Sequence, residues 1–132
     1  MKTFRIATVL TLCITWSLVT PAQAHAPIIK HATRLNVQAL AFNQPKAYAR
    51  LLIRGRGWTR ADYVCVIKLW THESNWNPKS KNKQSTAFGI GQLLNETSKS
   101  PAVQISNGLR YIDSRYGNPC NAWQHWRIHY WY

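Results

Sequence analysis

The sequence predicts a small α+β domain, predominantly α, built round one buried central helix. Three observations predict this. Thr59-Arg60-Ala61-Asp62 has the form of a capping box, with an acid three residues after the cap, and it opens a segment apolar on most sides. Ser100-Pro101 is a second start signal, a cap residue followed by proline at the first helical position; Ile105, Leu109, Ile112 and Tyr116 then recur at helical spacing. Between these segments, Asn75 to Ser85 is a polar loop with room for a short hairpin that the residues do not force.

Along the chain, residues 1–24 read as a secretory signal peptide. Lys2 and Arg5 form a positive start, Ile6 to Val19 carries no charge, and Ala22-Gln23-Ala24 is a small-x-small cleavage site. Cleavage is expected after Ala24. An apolar run of about fourteen residues is short of the roughly 20 that cross a bilayer, so no transmembrane anchor is expected. Cys13 lacks the small residues that precede a lipidated cysteine. Residues 25–44 are Ala-rich without a clear period, and form either a poorly ordered arm or a loosely packed first helix. Residues 45–132 are the expected domain. Pro45 opens a helix with Ala47, Leu51 and Leu52 on one face, ended by Gly55-Arg56-Gly57. The next helix, about Arg60 to His72, carries Val64, Val66, Ile67, Leu69 and Trp70; a helix apolar nearly all round is the buried one of its domain. Gly89 to Asn95 reads as a short helix. Residues 120–132 are dense in aromatic side chains.

Charge bounds the partners. Seventeen basic residues face four acidic ones, and without Lys2 and Arg5 the net charge is +11. A charge of that size bears on partners and not on fold. Outside the membrane it suits anionic envelope polymers; the alternative is a solvated basic surface with no partner. Arg54-Gly55-Arg56-Gly57-Trp58 raises a nucleic-acid reading, which the leader and the lack of a nucleic-acid module oppose. Two cysteines remain after the leader, Cys65 and Cys120. In an oxidising compartment they read as one disulfide, the alternative being two buried free thiols. A monomer is the simplest expectation.

With four carboxylates, each can be assigned. Asp62 caps a helix, Asp113 pairs on the surface with Arg110, and Glu96 is solvated. Glu73 differs. It ends the most apolar helix between Trp70 and Trp76, where desolvation favours the neutral acid and a neutral acid can protonate a leaving oxygen. Position alone leaves a solvated, inert Glu the commoner outcome. His72 points elsewhere on the helix and packs or lies on the surface. His125 and His129, four apart, have no third ligand in view, so no metal site is expected.

Glu73-Ser74-Asn75-Trp76-Asn77-Pro78, followed by Ala87-Phe88-Gly89-Ile90-Gly91-Gln92, resembles the motifs of the soluble lytic transglycosylases of the lysozyme-like superfamily. Gly108-Leu109-Arg110-Tyr111-Ile112 is similar to a later family stretch. The resemblance covers about residues 45–132 and implies a lysozyme-like fold. It implies Glu73 as catalytic acid, Ser74 as the residue orienting it, Gln92 as a polar group lining the saccharide cleft and Tyr111 as the tyrosine near the acid; Trp76, Tyr111 and Trp123 are candidate substrate contacts. At one position the chain departs from the pattern: Ala122-Trp123-Gln124 stands where many relatives have Ala-Tyr-Asn. Trp123 then either stacks on a sugar or fills the core.

The implied reaction needs no cofactor. Peptidoglycan glycan strands are the implied partner, in the periplasm, outside the cell or in the wall. Because no second acid is marked out, the implied cleavage is internal, giving a 1,6-anhydro sugar in place of a hydrolysed end. The alternatives are a lysozyme-type hydrolase and a non-catalytic wall-binding module.

Overall fold

A computed structural model describes residues 26–132, with side chains from Arg34 and from Asn36 onward. The expected leader and its cleavage site lie outside the described residues. Five helices follow one another: α1 (Ala26–Asn43), α2 (Pro45–Gly55), α3 (Arg60–Ser74), α4 (Pro101–Tyr116) and α5 (Pro119–His129). Among the described residues there is no strand, only isolated bridges from Phe88 to Lys81 and Leu93. No described helix is long and apolar enough to cross a membrane.

Residues 26–43 take the second of the two forms expected for them. They are helical, pack on α2 and α4, and bury Ala41 completely. The capping box forms as expected: the Thr59 amide and hydroxyl both donate to Asp62 Oδ2, at 2.9 and 2.7 Å, and the Asp62 amide donates back to Thr59 Oγ1. α3 continues to Ser74, two residues past its expected end. It is less buried than its composition suggests. Val66, Leu69 and Trp70 lie in the core, but Val64 is 42% exposed. α4 buries more, seven residues from Pro101 to Ile112, because it packs against α1, α2 and α5 together. Ser100 starts α4 without capping it, and its hydroxyl instead donates to Gln38 of α1. The expected surface pair of Asp113 and Arg110 gives way to a bond from Arg110 to the side chain of Asn107, one turn earlier on the same helix.

The core gathers Ile53, Val66, Leu69, Trp70, Ile105, Leu109 and Ile112. Trp70 reaches α4 only because residue 108 is glycine, since a Cβ there would sit 2.6 Å from its ring. Cys65 and Cys120 form a disulfide with Cα atoms 5.0 Å apart, joining α3 to the first turn of α5.

The segment from 75 to 100 departs most from expectation. Gly89 to Asn95 is not a helix. Gly89, Gln92 and Asn95 all have positive φ, which a right-handed helix excludes. A single buried side chain organises the segment. Gln104 accepts from the Ile90 amide and donates to the carbonyls of Pro78 and Ser98. Buried backbone groups must find partners, and here a glutamine on α4 supplies them in place of a helical ladder.

Candidate active site

α3 delivers Glu73 to the edge of a cleft and then reverses sharply. Asn75 and Trp76 both have positive φ, and the Trp76 amide donates to Trp70 O. Asn accepts this conformation readily, whereas a bulky residue there is an outlier. Burial offsets the strain at Trp76, which is 5% exposed and meets Trp70 edge to face with ring centroids 5.2 Å apart. Trp76 is therefore part of the core beneath the acid and not an open saccharide contact.

Glu73 lines a cleft of about 360 Å³ with Asn82, Gln92, Tyr130, Trp131 and Tyr132. Burial raises its pKa from 4.5 to about 7, and the Trp126 side chain works against this. Its place in the last turn of α3, among unpaired carbonyls, also disfavours the anion. The result is a carboxyl that can hold a proton near neutral pH. The cleft shares Ser85, Ala87 and Leu94 with two larger surface depressions of about 630 and 590 Å³. Together they make a groove suited to an extended chain.

The other expected site residues divide. Gln92 faces the cleft; its amide nitrogen donates to the carbonyls of Ser80 and Gly89, which leaves its oxygen for a ligand. Ser74 donates to Ile90 O at 2.7 Å, so it ties the loop to the end of α3 and is not bonded to Glu73. Tyr111 lines one of the adjoining depressions and not the cleft that holds Glu73. It stands behind Tyr132, ring centroids 5.6 Å apart. Trp123 also lies away from the cleft. It stacks on His72 and Trp126 along the seam of α3 and α5, and so fills the space between the helices. Glu96 is not freely solvated: its two oxygens accept from the Ser98 amide and the Asn107 carboxamide.

Sequence reasoning missed Trp126, Tyr130, Trp131 and Tyr132. Their aromatic density was visible, but no spacing rule assigned them to the acid. Tyr132 is the link. Its hydroxyl accepts from Trp70 Nε1 at 2.9 Å and donates to Gly91 O at 2.7 Å. Burial, with the Glu73 charge adding to it, holds its pKa well above the ordinary tyrosine value. Tyr132→Phe leaves two buried groups unpaired, and a cost of about 2 kcal/mol is expected. Denaturant unfolding checks this, and an unchanged midpoint would exclude the link.

A protein-family model described as Transglycosylase SLT domain matches residues 56–125. No curated protein and no solved structure matches the chain.

Proposed function

Because the chain belongs to the transglycosylase SLT domain family, we propose that it cleaves the β-1,4 bond between N-acetylmuramic acid and N-acetylglucosamine in peptidoglycan, with Glu73 as its acid and base. The single observation that carries this reading is a lone carboxyl, with its pKa near 7, in a cleft that no second carboxylate lines.

Glycosidases that hydrolyse with two carboxylates set them on either side of the bond, about 5–10 Å apart. Glu96 lines the adjoining depressions and not the cleft that holds Glu73, and its two oxygens accept from Ser98 and Asn107. With one acid, the reading we favour is internal attack. Protonated Glu73 gives its proton to the glycosidic oxygen as the anomeric C–O bond breaks. The substrate's acetamido group supports the cationic centre. Glu73, now a carboxylate, takes the proton of the muramic 6-hydroxyl, whose oxygen forms the new bond to the anomeric carbon. The products are a free 4-hydroxyl and a 1,6-anhydro sugar, and Glu73 ends protonated as it began. Desolvation suits both halves, since the pKa near the working pH lets one group serve as acid and then base.

Export of the mature chain to the periplasm, the wall or the medium belongs to the same reading, since the substrate lies outside the membrane. Residues 45–132 would form the catalytic unit. The groove beyond the cleft is where neighbouring sugars would lie, with Gln92 and the rings of Tyr130 and Trp131 against them.

Two measurements test the reading. Mass spectrometry of digested sacculi is expected to find 1,6-anhydro ends, whereas reducing ends alone would mean hydrolysis. Initial rates from pH 4 to 9 are expected to hold up to about pH 7 and then fall about tenfold per pH unit as Glu73 loses its proton. A fall beginning near pH 4.5, the ordinary value, would mean that burial does not act on the carboxyl during catalysis.

A further inference from the structure

At the opposite end of α3 from Glu73 the structure has a second concave site that the proposed reaction does not use. It is a cavity of about 250 Å³ between the last turns of α2 and the start of α3, lined by Arg50, Arg54 and Arg60 with the rings of Trp58 and Tyr63. Thirteen residues separate Arg60 from Glu73 on one helix, which places the two sites about 20 Å apart along its axis.

No carboxylate lines this cavity. The chain has only four. Asp62, the nearest in sequence, accepts both hydrogen bonds from Thr59; Glu73 lies at the far end of α3, and Glu96 and Asp113 lie on other segments. Of the lining arginines, Arg50 is held by an aromatic face, its guanidinium 5.8 Å from the centroid of Tyr63; beside the cavity, Arg56 lies 5.8 Å from Trp58 while donating to Leu52 O. Cation–π contact restrains a guanidinium without neutralising it. The charge therefore stays available to a ligand.

Guanidinium forks match the paired oxygens of phosphate, and they bind it with geometry as well as charge. We propose that this cavity is a docking site for the phosphodiester groups of a polyol-phosphate polymer attached to the wall, holding the protein on its substrate while the cleft works elsewhere. The concave shape favours a discrete phosphate with a flexible polyol on each side over the flat face of a membrane. The choice over nucleic acid rests on the proposed function, under which the protein works at the wall. The Arg54-Gly55-Arg56-Gly57-Trp58 run thus has a role within an envelope protein.

The test is co-sedimentation in the cold with sacculi carrying such a polymer, and with the same sacculi after acid removal of phosphodiester-linked polymer. Three full-length proteins are compared: the unaltered chain, R50Q/R54Q/R60Q, and R34Q/K68Q/R127Q, which loses the same charge elsewhere. The unaltered chain and the second variant are expected to bind intact walls about tenfold or more tightly than stripped ones, an advantage the first variant loses. Inorganic phosphate is expected to release the unaltered chain from intact walls. Equal binding to intact and stripped walls would overturn the proposal. So would an equal loss in both variants, which means net charge alone. Tighter cavity-dependent binding to phosphatidylglycerol vesicles or to duplex DNA would overturn the assigned partner. Cleavage of stripped walls by R50Q/R54Q/R60Q is expected to be unchanged, so the cavity and the catalytic reading can fail separately.

Discussion

Glu73→Gln is expected to abolish glycan cleavage and, at the same time, to stabilise the protein above neutral pH. A positioned general acid contributes about 10²–10⁴-fold to a rate, and here one group would serve as both acid and base, so a loss of at least about 10³-fold is expected on purified sacculi. The stability effect follows from linkage. The carboxyl has its pKa near 7 in the fold against 4.5 in the open chain. Between those values the folded state holds more protons, so stability falls as pH rises from about 4.5 to about 7. The full difference is worth roughly 3 kcal/mol at 1.36 kcal/mol per pH unit. Partial access to solvent screens it to about 1–2 kcal/mol. Glutamine has nearly the same shape and cannot ionise. The variant should therefore melt several degrees above the unaltered chain at pH 8 and about level with it at pH 4. A variant that melts lower at pH 8 would show that the carboxyl is not desolvated. Undiminished cleavage would remove Glu73 from the mechanism.

Breaking the Cys65–Cys120 disulfide is expected to have the largest effect on stability. The bond closes a loop with a sequence separation of 55 residues, which in the chain-entropy account stabilises the fold by about 4 kcal/mol. For a domain of this size that is a fall in melting temperature of about 15 °C or more. The loss should also reach the active site. The bond holds α5 on α3, and α5 carries Trp126, whose side chain acts on the Glu73 carboxyl. C65S/C120S should therefore lose activity at temperatures where its circular dichroism still reports a folded chain. Thermal unfolding with and without reductant checks the first part, and a cost under about 1 kcal/mol would contradict it.

Local signals were legible wherever a few neighbouring residues suffice. Pro45, the Thr59–Asp62 box and Ser100-Pro101 each mark a helix start that the fold contains, because capping and proline geometry act within one turn. Glu73 stood out by scarcity and by its apolar helix. The segment from Gly89 to Asn95 was misread because its apolar residues suggest a helix, while the controlling contact, Gln104 to Ile90, spans fourteen residues. Trp76 and Trp123 show the same limit in the site. Both have the right residue type for a sugar platform, yet one lies under Trp70 and the other against His72.

The sequence by itself determined the helical class, the single pairing open to Cys65 and Cys120 and the surplus of positive charge, and it marked Glu73 as the candidate acid. These depend on composition and on spacing within a turn or two. Only the tertiary structure decided what surrounds that acid. Trp126 from α5, the Tyr130–Tyr132 wall, and the bonds of Tyr132 to Trp70 and Gly91 arrive from residues 41 to 62 positions away. No local rule encodes them, because burial, which raises the pKa of Glu73, is a property of the assembled packing.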